Sequence, residues 1–447
     1  MIESHLTTVS YIAIVAVLAM YGLLMAEKIN KVLVVGITGF LLIFLQVYKM
    51  GATGSQDQAF SFISRNLDVL GFIVGMMVLV GVVRESGFFE AIAIGLVKKV
   101  KGKPQLLLIA IGYLTLVMTM FLSNIPTVLI LTPVLLVLIK ELKLPYLPFF
   151  ITMITMANIG GATTPISDPT TYYQAKTVGL SFVEVVTNSG LIVLILSVVT
   201  TIYMQIVFRK QLSSVIVKEK EVAAYKPSSA IKDKKILKIG VPLLVITIVI
   251  MLSKDFIVHA TGITLDNASI ALFAASLAVL IFKKDVKEIL QHIVDWEVIF
   301  FFMGLFIVIG SLEQTGVVQA LAALLLKWSN GNANALQFLV TMGSSVLSVF
   351  IDNVPYNITM VSAIQAMAKA GIYVYPLWWA LNLGTSLGGA GSPIGASCNV
   401  VALGQAEKEK IHIKFLKYLA YGFPLVIING LVTFGVLYIR YGILAHH

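Results

Sequence analysis

The chain holds a single cysteine, Cys398, which excludes an internal disulfide and any zinc site built from several thiolates. Charge is scarce too: only 12% of the 447 residues are Asp, Glu, Lys or Arg. A soluble domain carries about twice that share, so water is not the natural solvent of most of this surface. No GxxxxGK[ST] string is present, the loop that cradles nucleotide phosphates, and the chain therefore carries no ATP motor of its own. HExxH is also missing, and the six histidines lie at termini or in expected loops. An intramembrane metalloenzyme would be left without ligands, so no enzyme, metal or cofactor is expected.

What the chain has instead is apolar residue, 58% of the total, in runs that repeatedly reach the ~20 residues a helix needs to cross a bilayer. This reads as an all-α polytopic membrane protein. The first run, Thr8 to Met25, follows Glu3 and no Lys or Arg, whereas a cleaved signal peptide wants a positive start. It is expected to be the first transmembrane helix. The net charge of +10 does not point to nucleic acid, because the basic residues gather in short clusters between apolar runs.

Sliding the sequence along itself reveals a repeat. DVLGFIVGMMVLVGVVRESG, from Asp68, lies over EVIFFFMGLFIVIGSLEQTG, from Glu297, so that Gly75, Gly81 and Gly87 fall on Gly304, Gly310 and Gly316. SNIP at Ser123 falls on DNVP at Asp352 at the same offset. One residue of slippage later, GGATTPI at Gly160 falls on GGAGSPI at Gly388. The pattern predicts two inverted repeats, 1–208 and 236–447, joined by a cytoplasmic linker, 209–235. Each repeat is expected to hold five spanning helices, one of them broken at Gly-Gly-x-x-x-Pro, and a re-entrant hairpin at Asn-x-Pro. Five is odd, so the second repeat is inverted. Charge agrees: with both termini outside, 25 of the 32 Lys and Arg residues fall on the cytoplasmic side, Lys28, Lys31, Arg84 and the KKVKGK cluster among them.

Non-helical chain at membrane depth survives only when buried in protein or lining a wet cavity. Inverted repeats with helices broken near the midplane are the sequence mark of a transporter binding site. Two carboxylates lie at these breaks, Asp168 and Asp352, and intramembrane carboxylates are functional candidates by default. They are the expected proton- or cation-coupling groups. Asp352 follows the apolar run SVLSVFI and is expected in apolar surroundings, Asp168 among hydroxyls and free backbone. The expected solute-binding set is Ser123, Asn124, Thr127, Thr163, Thr164, Ser167, Asn353, Asn357, Ser392, Ser397, Cys398 and Asn399, with Thr170 and Thr171 beside it. Each candidate also has a plain structural role: the Gly-Gly segments as packing kinks, Asp168 and Asp352 as helix caps, Cys398 as a small buried apolar residue.

At SNIPTVLILTP, NIGGATTPISDPTTYY, FIDNVPYNITMV and LWWALNLGTSLGGAGSPIGASCNVVALGQAE the chain resembles the ion-transporter superfamily that includes the ArsB/NhaD permeases for arsenite efflux and sodium/proton antiport. The resemblance implies a hairpin-plus-broken-helix fold and elevator-like movement. It also brings a homodimer into view and, for the arsenite branch, a separate ATPase subunit. This chain departs in having Ser123-Asn124 where many members carry Asp-Asn in the first hairpin, and Ser167-Asp168-Pro169-Thr170-Thr171 where many carry Gly-Asp-Pro-Pro-Asn. The function expected is proton-coupled secondary transport across the inner membrane. Arsenite or antimonite export leads through the sole thiol, sodium/proton antiport stands beside it, and a dicarboxylate is weaker because no Lys or Arg lies within the breaks. A passive channel is the rival outside the transporters.

Overall fold

Seven of the longer helices start where the sequence supplies an oxygen to receive the first free N–H groups. Asn30, Asp168, Asp233, Asp266, Asp295, Asn332 and Asp352 each accept a backbone N–H of the helix they precede. The computed structural model describes residues 6–26, 29–50, 58–100, 103–215, 227–262 and 265–443. Lys28, Lys101 and residues 216–226 of the charged linker lie outside the described residues.

Helices of ten residues or more are numbered in chain order. The first half gives α1 (Thr8–Ala26), α2 (Lys31–Phe44), α3 (Leu67–Arg84), α4 (Phe88–Lys99), α5 (Pro104–Leu122), α6 (Asn124–Glu141), α7 (Tyr146–Gly161), α8 (Pro169–Val178) and α9 (Leu191–Val207). The second gives α10 (Lys234–Thr261), α11 (Asn267–Phe282), α12 (Trp296–Gln314), α13 (Val317–Trp328), α14 (Ala333–Leu347), α15 (Asn353–Lys369), α16 (Tyr375–Gly389), α17 (Ser397–Lys408) and α18 (Phe415–Leu437). The order recurs: a hairpin, α5–α6 or α14–α15, then a broken helix, α7/α8 or α16/α17. No strand occurs among the described residues. Among the described residues eight helices are long and apolar enough to cross a membrane, both arms of the first hairpin among them.

The halves exchange partners instead of folding as separate lobes. Helix α2 lies against α12, and α3 against α11. The repeated glycines make this possible, since small residues let helix backbones approach closely in lipid. A methyl group at Gly75 would fall 2.7 Å from the Ala271 backbone carbon, and one at its repeat mate Gly304 would fall 3.1 Å from Val35. Helices α1–α3 and α10–α12 thus form one bundle.

The second bundle holds both hairpins and both broken helices. In it α5 packs on α7, α14 on α16, and α7 meets α16. Each second half-helix crosses to the other repeat's hairpin, α8 to α15 and α17 to α6. Helices α4 and α13 bridge the bundles, α4 touching α3 and α6, α13 touching α12 and α15. The described end of the linker forms a single turn, Pro227–Ala230, that packs on α4, and the Lys232 N–H donates to the Ser86 carbonyl at 2.9 Å.

Candidate functional site

Two junctions form where a hairpin tip meets the start of a second half-helix. At the first, Ser123 closes the α5–α6 hairpin with φ +71° and ψ 159°, a region non-glycine residues rarely adopt. The turn is held from within: the Thr127 hydroxyl donates to the Ser123 carbonyl at 2.7 Å, and Asn124 Oδ1 accepts the Ile125 N–H at 2.9 Å. The Asn124 amide then donates to Asp168 Oδ2 at 2.6 Å. Asp168 Oδ1 accepts the Thr170 N–H at 2.8 Å and its hydroxyl at 2.6 Å. Asp168, 3% exposed, is therefore both the cap of α8 and the partner of the hairpin tip.

The second junction carries its carboxylate on the other member. Here the hairpin tip is Asp352, which caps α15 through the Val354 N–H at 3.1 Å, while Ala396 stands where Asp168 stood and supplies no cap to α17. Asp352 Oδ2 accepts the Ser397 hydroxyl at 3.2 Å, and the Asn353 N–H donates to the Gly395 carbonyl at 3.2 Å. The sequence reading placed Asp352 in apolar surroundings. The structure corrects this: Lys31, the first residue of α2, meets Asp352 Oδ2 at 2.8 Å and lies 3.4 Å from the Ser397 hydroxyl. Lys31 was legible only as one more basic residue at the foot of an apolar run, and the contact joins residues 321 positions apart.

Many of the predicted polar residues serve the broken backbone. The Thr171 hydroxyl and the Asn399 amide, at matching positions of α8 and α17, reach back to the carbonyls of Gly161 at 2.8 Å and Gly389 at 2.6 Å. Ser167 also donates to Gly161, Thr164 to Met120, and Ser392 to Val349. These bonds satisfy carbonyls that a break would otherwise leave bare in a medium without water. The Thr163 hydroxyl is buried with no partner among the described residues, as is Asn357 Oδ1, whose amide donates to Gln174 and Thr385, each at 3.3 Å. Cys398 is fully buried, 3.5 Å from the Asn158 amide and 3.3 Å from Asn399 Oδ1. Sequence reasoning missed Asn158, Gln174 and Asn382, which tie α7 to α17 and α8 to α16 at the centre.

Two cavities flank the junctions on the side of the first bundle. One, of about 520 Å³, touches Ser123, Ile125, Pro126, Ile166 and Pro169 and reaches Arg84, Lys232 and His292. The other, of about 380 Å³, is lined by Asn30, Lys31, Glu297, Ser397 and Val400. Ile125, Asp295 and Val298 border both, so the space runs along the seam between the bundles from one junction to the other.

The model of the family described as citrate transporter, CitMHS, matches residues 21–384. The chain belongs to this family. An uncharacterised transporter of Mycobacterium tuberculosis (strain H37Rv) is 30% identical over 446 residues, covering 98% of this chain and all of that one. The P protein of Sus scrofa is 25% identical over 507 residues, 96% of this chain but 59% of that longer one. Among solved structures, the YdaH transporter of Alcanivorax borkumensis superposes with a TM-score of 0.62 over 93% of this chain and 99% of that one, at 13% identity, a likeness of fold. The family and its relatives are membrane transporters and not enzymes. This chain is a multi-pass membrane transporter of the citrate transporter family.

Proposed function

We propose that the chain is a cation-coupled secondary transporter in which the second bundle, carrying both junctions, moves against the first in an elevator-like manner, with Asp168 as the main coupling group. One observation carries the reading. Asp168 is a buried carboxylate beside a cavity, and its hydrogen-bond donors are all neutral, the Asn124 amide and the Thr170 N–H and hydroxyl. Among the described residues no basic side chain contacts it. A cation or a proton would complete that site, since hard cations favour oxygen ligands. The charge distribution of the loops supports inverted repeats with both termini outside and the 209–235 linker in the cytoplasm, and transport across the inner membrane fits that orientation.

For the solute, exchange of sodium for protons is the reading the geometry supports best. Arsenite or antimonite efflux leaned on the thiol, and the burial of Cys398 removes that support, leaving only the amides and hydroxyls of the junctions as partners for a neutral oxyacid. A citrate-like polyanion is favoured by the family's description. Lys31, the basic side chain at the second junction, is already opposed by Asp352, which leaves Arg84, Lys232 and His292 of the 520 Å³ cavity as the polyanion's counter-charges. Purified full-length protein in vesicles with an imposed pH gradient, offered sodium, arsenite and citrate in turn, tests all three. Sodium uptake that follows the gradient and collapses in Asp168→Asn is expected, with Cys398→Ser unchanged. Citrate or arsenite moving in place of sodium overturns the solute, and full pH-driven uptake by Asp168→Asn overturns the coupling group.

A further inference from the structure

Polar contacts cross the seam between the bundles on both sides of the junctions. Lys31 of α2 meets Asp352, Asp68 of α3 meets Lys176 of α8 at 2.9 Å, and Ser362 of α15 donates to Glu313 of α12 at 2.6 Å. The pairs differ in one respect that matters. Lys176 and Asp68 are 31% and 35% exposed, so water screens them and they hold little. Asp352 is 4% exposed, and it alone among the carboxylates of these pairs is also a junction carboxylate. Its partner Lys31, 28% exposed, opens on the 380 Å³ cavity.

We propose that the Lys31–Asp352 pair is a latch that makes movement of the second bundle conditional on the load at Asp352. The proposal rests on the reading that this bundle moves. While Asp352 is ionised and empty, pulling it from Lys31 would leave an uncompensated charge away from water, which is strongly unfavourable. A proton taken up from solution on Asp352, or a cation bound there, removes that charge and with it the attraction. Lys31 keeps its own proton and turns to the cavity. The latch is thus closed while Asp352 is ionised and empty, and opens when a proton or cation neutralises it.

The groups that face Asp352 from neighbouring elements are Lys31 on α2, Ser397 and Cys398 on α17, Tyr21 on α1 and Asp168 before α8. Tyrosine and cysteine are uncharged in the acid range. The other carboxylates whose charge could mimic the latch are Asp168 and, on the wall of the same cavity, Asp295 and Glu297; Asp168→Asn, Asp295→Asn and Glu297→Gln control for them, and each should keep the dependence.

The test reads position instead of transport. A cysteine introduced as Val400→Cys on α17, at the wall of the 380 Å³ cavity, is labelled with a maleimide in membranes across a pH series. Leu416→Cys, on the 75% exposed position at the start of α18, corrects for ionisation of the thiol itself. In the parent, acidification is expected to shift the corrected rate, by up to about tenfold per pH unit for a one-proton step, towards a plateau. Lys31→Gln should sit at that plateau at every pH, Lys31→Arg should restore the dependence, and Asp168→Asn should keep it. Size-exclusion profiles of each variant establish that it is folded. A pH dependence equal in parent and Lys31→Gln overturns the latch and leaves the moving bundle standing. A parent rate indifferent to pH while the vesicles still carry out pH-driven transport overturns the moving bundle as well.

Discussion

Asn124 and Asp168 allow a prediction that depends on which junction member holds the charge. Asp168→Asn keeps the shape of the side chain, and the new amide oxygen can still accept from Thr170. The other end of the amide, however, turns an acceptor into a donor facing the Asn124 amide at what was 2.6 Å. Asn124 cannot simply flip, because its oxygen already receives the Ile125 N–H. Hydrogen bonds between neutral groups of membrane helices average about 0.6 kcal/mol, but one to a buried charged acceptor is worth about 1.5–3 kcal/mol. That larger range is the expected loss in Asp168→Asn. Asn124→Asp alone should be worse, since two carboxylates in contact cannot both stay ionised. The double exchange, Asn124→Asp with Asp168→Asn, puts the carboxylate on the hairpin tip, where the second repeat already has it at Asp352. There it accepts from the new amide and keeps the Ile125 N–H. The exchange should therefore recover most of the stability, a coupling of at least about 2 kcal/mol in the double-mutant cycle. Thermal unfolding of the purified protein in detergent, followed by size exclusion, measures the four forms. Losses that merely add would show that the junction does not hold its charge through this bond.

The linker and the topology give two more expectations. Gly87 has φ +73°, and a methyl group there would lie 1.7 Å from the Ala230 carbonyl oxygen, whereas its repeat mate Gly316, at φ +75°, has nothing closer than 4.0 Å. Both Gly→Ala changes incur the left-handed strain of about 1–2 kcal/mol, but Gly87→Ala must also push the linker off α4, so it should melt lower than Gly316→Ala and expose 227–233 to protease; equal melting would refute the strap. Inversion of the repeats requires Lys143→Cys, in the exposed turn after α6, and Lys369→Cys, at the exposed last residue of α15, to label from the cytoplasmic and outer sides respectively. Labelling of both from one side sinks the inverted arrangement.

The helical class, the hairpins and the broken helices were legible because each leaves a local mark: an apolar run, Asn-x-Pro, Gly-Gly-x-x-x-Pro. So were both carboxylates, as charge is too costly in an apolar segment to be there by accident. What each carboxylate touches was not legible. Asn124 meets Asp168 across 44 positions and Lys31 meets Asp352 across 321, and no local pattern encodes either distance. Cys398 shows the same limit from the other side, since its place in the second break suggested a solute contact, and only packing of α7 against α16 and α17 decided that it faces Asn158 and Asn399. The sequence by itself determined which segments would break and which charges would lie at the breaks, because backbone freedom and burial cost are properties of single residues and their neighbours. The tertiary structure alone decided that Asp168 is held by neutral donors and Asp352 by a lysine, because an ion pair depends on which helices exchange partners between the halves, and that follows from packing across the whole chain.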